Sequence, residues 1–306
     1  MKHLLSIHDL SVDEVEKILD TAADLKAKLK AGIEHKILAG KSMGMIFSKS
    51  STRTRVSFET GMYQLGGHAL FLSSNDIQLG RGESIYDTAN VLSRYLDGIM
   101  IRTFKQSDVE DLAKYGSISI INGLTDLLHP CQALTDIFTA FEHKGRLKGL
   151  KLAYIGDGNN MAHSLMYAGA KVGMDVSVAS PKGYECNAEI VENAKEDAKL
   201  TGAVIDVSND PESAIKNADV VYTDTWVSMG QEEEKAKRIK DFEGYTIDEK
   251  LFSLADSEAV FMHCLPAYRG YEVTEGVIDG PHSVIFDEAE NRLHVQKAVM
   301  ALTMGD

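Results

Sequence analysis

Residues able to do chemistry gather in five short runs of this 306-residue chain. The first, Phe47-Ser48-Lys49-Ser50-Ser51-Thr52-Arg53-Thr54-Arg55, joins a strand-like segment to a helical one. Hydroxyl and guanidinium groups fall together in the first turn of that helix, where free backbone amides and the positive end of the dipole point. Guanidinium forks match phosphate oxygens. The plainer reading is a capped helix with solvated arginines. Alternating hydroxyls and arginines at one strand-to-helix turn favour a phosphate site instead. The glycine pattern of a P-loop is missing, so the phosphate expected is not that of a bound nucleotide.

The second run, Leu128-His129-Pro130-Cys131-Gln132, opens another helix, with Pro130 suited to the first helical position. His129 and Gln132 stand about one turn apart, and a neutral imidazole N–H and an amide are good donors to a polarised carbonyl oxygen. Taken alone, such a histidine is more often a cap. The third run, Gly156-Asp157-Gly158-Asn159-Asn160, resembles a dinucleotide turn. The acid that turn needs on the next strand is replaced by Val178-Ala179-Ser180-Pro181, which disfavours NAD. Asn159 and Asn160 suit a small carboxylate. The fourth, Asp224-Thr225-Trp226-Val227-Ser228-Met229-Gly230, puts an anion at a strand end, fit for an ammonium group or for capping. The fifth, His263-Cys264-Leu265-Pro266-Ala267, ends another strand. Neighbours on a strand face opposite ways, which weakens a cysteine-protease reading.

These runs need elements to hold them. Ser11-Val12-Asp13-Glu14 is a capping box before a helical stripe from Val15 to Leu29. Strands are expected at Met43–Phe47, His68–Leu72, Gly98–Ile101 and Ile118–Ile121, with helices near Ile85–Tyr95 and Ser107–Tyr115 between them. After a long helix ending near Gly145, strands are expected at 151–155, 175–179, Val220–Thr223, Val260–His263 and Val284–Phe286. Helices are expected at 161–172, 188–200 and 293–304. Such alternation predicts parallel sheets covered by helices on both faces. The class is α/β, with two doubly wound domains joined by helices: residues 1–133 with the C-terminal helix 290–306, and 134–289. The cleft between them is the expected site.

Composition narrows the partners. The 46 Asp+Glu outnumber the 32 Lys+Arg, for a net charge of −14. That disfavours nucleic acid and anionic membranes but leaves a small anion in a locally positive cleft. Lys49, Arg53, Arg55, Arg102 and Arg292 are the cations expected in or near that cleft. No apolar run approaches the roughly 18 residues of a membrane helix, and the N-terminus turns polar too soon for a signal peptide. Cys131, Cys186 and Cys264 form neither a disulfide framework nor a zinc pattern, which points to a reducing cytoplasm.

Four of the runs, in order and across most of the chain, resemble the aspartate/ornithine transcarbamoylase family. The matching residues are Ser51-Thr52-Arg53-Thr54-Arg55, His129-Pro130-Cys131-Gln132, Asp224 with Ser228-Met229-Gly230, and His263-Cys264-Leu265-Pro266. The likeness is to its ornithine-specific branch. It implies transfer of a carbamoyl group from carbamoyl phosphate to the δ-amine of L-ornithine, giving L-citrulline and phosphate, for arginine biosynthesis or in the reverse catabolic direction. It implies no metal or cofactor, and a homotrimer or a multiple of trimers.

By the same resemblance, Ser51, Thr52, Arg53, Thr54 and Arg102 hold the phosphate, with Gln78 from a neighbouring subunit. Arg53, Arg102, His129 and Gln132 hold or polarise the carbamoyl group, and Leu265 and Arg292 line it. Asn160, Asp224, Ser228, Met229 and Cys264 hold ornithine. Arg53, Arg102, His129, Gln132, Asp224 and Cys264 form the catalytic set. Leu265-Pro266 is expected to be cis. The family's shared-loop lysine is absent; Arg81 stands in that loop, its role open.

The difficult step is the nucleophile. An amine of pKa near 10.4 needs roughly 4–5 kcal/mol to be deprotonated at pH 7. A water-shielded site near cations lowers that requirement. Asp224 and Ala267 disfavour an aspartate acceptor. Putrescine or an acylated ornithine, a dinucleotide-dependent oxidoreductase built on the Gly156–Gly158 turn, and a non-catalytic phosphate-binding module are the competing readings.

Overall fold

Val12 to Leu29 carries its apolar side chains at helical spacing, and Ser11 starts the helix. The Ser11 hydroxyl accepts the Glu14 N–H at 3.1 Å, and the Glu14 carboxylate accepts the Ser11 N–H at 3.0 Å, so the capping box forms. In the computed structural model, which describes residues 1–78, 82–227 and 232–305, the first elements in chain order are α1 (Val12–Lys30), β1 (Ser42–Phe47), α2 (Thr52–Gln64) and β2 (His68–Ser73). There follow α3 (Ile85–Leu92), β3 (Gly98–Arg102), α4 (Gln106–Tyr115), β4 (Ser119–Leu124) and α5 (Pro130–Lys144). The remaining elements are β5 (Lys151–Ile155), α6 (Asn160–Val172), β6 (Asp175–Ala179), α7 (Ala188–Ala198), β7 (Ile205–Ser208), α8 (Pro211–Ile215) and β8 (Val220–Tyr222). The chain ends with α9 (Lys235–Asp241), α10 (Glu249–Phe252), β9 (Val260–Met262), α11 (Glu275–Ile278) and α12 (Ile285–Met304).

The chain divides into two units, Met1–Leu134 with Glu290–Asp306, and Thr135–Ala289. The first carries a four-stranded sheet in the order β2-β1-β3-β4 and the second a five-stranded sheet in the order β7-β6-β5-β8-β9. Among the described residues every strand pairing is parallel. Continuous apolar strands suit this, because helices cover both faces; β3 is buried throughout. The edge strands β2 and β7 are exceptions, with His68, Leu70 and Phe71 exposed on the first and Asp206 and Val207 on the second.

Both strand orders reverse direction once, between β1 and β3 in the first unit and between β5 and β8 in the second. Such a switch point leaves a crevice beyond the carboxyl ends of the two strands, where α/β folds bind ligands. In the first unit, α12 lies close against α2. A Cβ at Gly61 would sit 2.8 Å from the Met300 terminal methyl and 3.1 Å from Lys297 Cγ, so glycine permits the approach.

The expected strand at Val284–Phe286 does not form. Val284 donates a single backbone bond to Phe261, and α12 starts at the next residue, with Asp287 and Glu288 in its first turn. Acids in a first turn complement the helix dipole and win over the β propensity of three residues. Helix α3 ends at Leu92, short of the expected Tyr95. The short edge strand β7 and α8 were not anticipated; four residues alternating Ile205, Asp206, Val207 and Ser208 give little periodic signal. Among the described residues no helix is long and apolar enough to cross a membrane.

Candidate functional site

In the first unit the switch point delivers the ends of β1 and β3 side by side, with Phe47 in register with Arg102. The Ser51 hydroxyl caps α2 by accepting the Thr54 N–H at 3.2 Å, and it donates to Thr54 Oγ1 at 3.0 Å. Thr54 is fully buried and its Oγ1 also accepts from Arg292 Nη2 at 2.8 Å. Thus α12 contributes a guanidinium to the start of α2. Arg102 ends β3 and is 6% exposed. His129 stands just before Pro130, the first residue of α5, and Gln132 follows in the first turn; both are buried.

Electrostatics bind these residues into one cluster. Burial first, and then Arg292, Arg102 and Arg53, hold the His129 imidazole well below its ordinary value. Every charged group in that set is a guanidinium. His129 is therefore neutral at pH 7 and keeps one N–H as a donor. Three buried or half-buried cations around one neutral ring, at a helix N-terminus, form a field that favours an anion. A phosphate oxygen about 4 Å from one of them gains roughly 4 kcal/mol of raw attraction at an effective dielectric near 20.

Two expected cations are engaged with other partners. Arg55 lies two residues past Arg53, roughly 200° around the helix. Its Nε pairs with Glu59 at 3.0 Å and its guanidinium lies 3.8 Å over the Phe71 ring. Lys49 pairs with Asp126 and lies 4.4 Å over Phe104. Thr52 is exposed at the first turn of α2, and Gln78 is exposed on the surface. Cys131 is core: burial pushes its thiol up to about 12, and it donates to the Asn122 carbonyl at 3.4 Å.

The second unit's switch point holds different chemistry. Asn159 caps α6, its Oδ1 accepting Met161 N at 2.9 Å and Ala162 N at 3.3 Å, while its Nδ2 donates to Asp224 Oδ2 at 3.0 Å. Asp224, two residues past β8 and 7% exposed, accepts at Oδ1 from Thr225 N at 2.8 Å and from the Cys264 thiol at 3.2 Å. Burial first, then Asp224, Glu288 and Asp136, push that thiol well above its ordinary value. Cys264 is thus a protonated donor at neutral pH, which argues against its accepting a proton from an amine. Asn160 is half-buried at the first position of α6.

The Leu265-Pro266 bond is cis, with Leu265 at φ 57°. The donor atoms of Asp224, His263 and Cys264 lie within 4.8 Å of one another. His263 Nδ1 accepts the Leu265 N–H at 2.9 Å, which leaves the proton on Nε2, 3.3 Å from Glu272 Oε1. With both ring nitrogens engaged, the trio is a hydrogen-bond cluster rather than a metal site.

The glycine turn after β5 is closed to a dinucleotide. A Cβ on Gly158 would strike the backbone of Tyr184, Glu185 and Cys186, at 2.3 Å from Cys186 N. The chain's own backbone fills that approach. Asp157 between the glycines pairs with Arg238 Nη1 at 2.7 Å, and the same nitrogen donates to the Trp226 carbonyl at 2.9 Å. Ser228, Met229 and Arg81 lie outside the described residues. Sequence reasoning missed the Asn159–Asp224 bond, the Arg238 anchor and the buried acids Glu288 and Asp136. Their partners lie 25 or more residues away, so no local spacing signals them.

Comparison with known proteins agrees with both halves. Residues 2–142 match the profile of the aspartate/ornithine carbamoyltransferase carbamoyl-P binding domain, and residues 148–303 that of the Asp/Orn binding domain. The chain is 60% identical over 300 residues to an ornithine carbamoyltransferase of Caldicellulosiruptor saccharolyticus, covering 98% of this chain and 97% of the relative. It is 58% identical over 305 residues to that of Oceanobacillus iheyensis, covering 100% and 95%. The solved structure of ornithine carbamoyltransferase from Pyrococcus furiosus superposes with a TM-score of 0.96 at 53% identity, covering 99% of this chain and 97% of that one. The chain belongs to the aspartate/ornithine carbamoyltransferase family.

Proposed function

We propose that this protein transfers the carbamoyl group of carbamoyl phosphate to the δ-amine of L-ornithine, releasing L-citrulline and phosphate. The observation that carries the reading is the set of three guanidinium groups, Arg53, Arg102 and Arg292, around the neutral, buried His129 just before α5. Ser51, Thr52, Arg53, Thr54 and Arg102 hold the phosphate. Arg53, Arg102, His129 and Gln132 polarise the carbamoyl oxygen, with Arg292 and the Leu265 carbonyl lining the carbamoyl group.

The free δ-amine attacks the carbamoyl carbon. The oxyanion that forms collects the guanidinium and imidazole donors, the carbon–oxygen bond to phosphate then breaks, and the proton of the attacking amine passes to the departing phosphate. Preorganised donors of this kind are each worth about 10²–10³ in rate. Asp224 already accepts three hydrogen bonds, which leaves about one acceptor position of a carboxylate's four. That position receives the α-ammonium of ornithine, and Asn160, Ser228 and Met229 complete the acceptor site. Cys264 orients the δ-amine as a neutral thiol.

The working assembly is a homotrimer or a multiple of trimers, in which the exposed Gln78 serves a neighbouring copy. The exposed β2 edge with Leu70 and Phe71 supports self-association, because an open strand edge is rarely left uncovered. A functional free thiol at Cys264 suits a reducing cytoplasm.

A citrulline assay with carbamoyl phosphate and a panel of amines tests the reading. Ornithine should be carbamoylated in clear preference to putrescine, acetylornithine and aspartate. Activity with one of those and none with ornithine would overturn it.

A further inference from the structure

Asp224 and Cys264 serve the proposed reaction, but two acids buried near them have no part in it. Glu288 in the first turn of α12 is 1% exposed, and Asp136 in α5 is fully buried. Their side chains are hydrogen-bonded to each other. Two carboxylates cannot both ionise at that distance without a large repulsion, so the bond implies a proton shared by the pair.

The Glu288 carboxyl has two further partners. Its Oε2 accepts the His263 N–H at 2.9 Å and its Oε1 accepts the Tyr222 hydroxyl at 3.2 Å. His263 immediately precedes Cys264, and Tyr222 ends β8 two residues before Asp224. One carboxyl therefore ties the main chain that carries the thiol to the strand that carries the anion.

We propose that Glu288, sharing a proton with Asp136, is a positioning residue of the acceptor half-site: it fixes the main chain at His263 and keeps Cys264 a protonated donor to Asp224. This rests on the reading of Asp224 and Cys264 given under the proposed function. An amide still accepts the His263 N–H at its oxygen, and its N–H can donate to the Tyr222 oxygen once that hydroxyl turns. The acid adds charge beside the sulfur. A thiolate there would repel Asp224 and compete with ornithine for the carbamoyl carbon.

The groups facing Glu288 are Asp136 from α5, Tyr222 from β8, and His263 and Cys264 from the turn after β9, with Asp224 beyond the thiol and Glu272 on the His263 ring. Burial, opposed mainly by the His263 N–H, pushes the Glu288 carboxyl up to about 7. Its charge, and with it its hold on the thiol proton, therefore grows as pH rises through neutrality.

The test is made on the full chain. Iodoacetamide alkylation of Cys264 is followed by peptide mass spectrometry, with Cys131 and Cys186 as internal references. In Glu288→Gln the thiol should alkylate about tenfold faster than in the native protein at pH 8.5, and at nearly the native rate at pH 6. A ratio that stays flat with pH would overturn the proposal. In Glu288→Leu, which leaves the His263 N–H without its acceptor, kcat with ornithine should fall about 10²-fold while KM for carbamoyl phosphate stays within twofold. Glu288→Gln should recover at least a tenth of native kcat. A native kcat in Glu288→Leu would also overturn it. If the leucine variant fails to fold, the pH dependence of the glutamine variant decides alone. A native protein that makes no citrulline defeats the proposed reaction; a native protein that makes it, beside variants indistinguishable from it in both assays, defeats only the positioning role.

Discussion

The switch point of the first unit gathers Arg53, Arg102 and Arg292 around a neutral imidazole. The equivalent point of the second unit gathers a carboxylate, two asparagines and a thiol. Both stand beyond the carboxyl ends of neighbouring parallel strands, so the same topology serves opposite charges. The topology supplies a crevice and a helix N-terminus; the side chains choose the ligand. In the first unit the dipole and the cations add. In the second, Asn159 satisfies two amides of α6, and Asp224 sets the local sign.

The largest effect that can break this contrast lies in the cationic half. Arg53→Ala should lower kcat/KM for carbamoyl phosphate by about 10³-fold, near 4 kcal/mol, with the urea midpoint almost unchanged. A rate within tenfold of native would remove Arg53 from the phosphate site. In the second unit, Arg238→Met should destabilise the protein by about 3 kcal/mol, because Asp157 is left buried without its cation. Burial already raises the Asp157 carboxyl, so the loss should shrink toward acid pH as that group is neutralised. Urea unfolding at pH 7 and pH 5 measures both.

Asp224→Asn should lower kcat/KM for ornithine by about 10²-fold, near 2.7 kcal/mol, and leave carbamoyl phosphate binding alone. Equal damage to both substrates in steady-state kinetics would mean that the halves are not chemically separate. The neutral His129 gives a smaller signature. Its folded pKa is depressed, so below pH 6.5 the unfolded chain binds a proton that the folded chain does not. Stability falls there by up to about 1.4 kcal/mol per pH unit. His129→Gln should flatten that slope, as read from unfolding midpoints between pH 7 and pH 5.5. Least of all, Arg55→Ala should cost about 0.3–0.5 kcal/mol and leave kcat/KM within twofold, since its Glu59 pair is exposed. A large loss of activity would show that the two arginines of one motif share a role.

Legibility followed the range of the interactions. The capping box at Ser11, the proline that opens α5 and the apolar strands were readable because their causes lie within a few residues. Ser51 read both as a cap and as a phosphate ligand, and the cap is the part visible in the fold. Arg53 and Arg55 look alike in sequence, yet helical rotation sends one toward His129 and the other to Glu59 and Phe71. Val284–Phe286 looked like a strand because three apolar residues carry too little pattern to outweigh the start of a long helix.

The sequence by itself determined the class of sheet, the five chemical runs and their order, because strand burial and helix caps are set by local residue types. Only the tertiary structure decided which cations face one another, that Asn159 and Cys264 both serve Asp224, and that Glu288 and Asp136 lie near them. Those contacts join residues far apart in the chain. Hydrogen bonds and pKa shifts depend on distance and burial in space, and spacing along a chain carries no record of either.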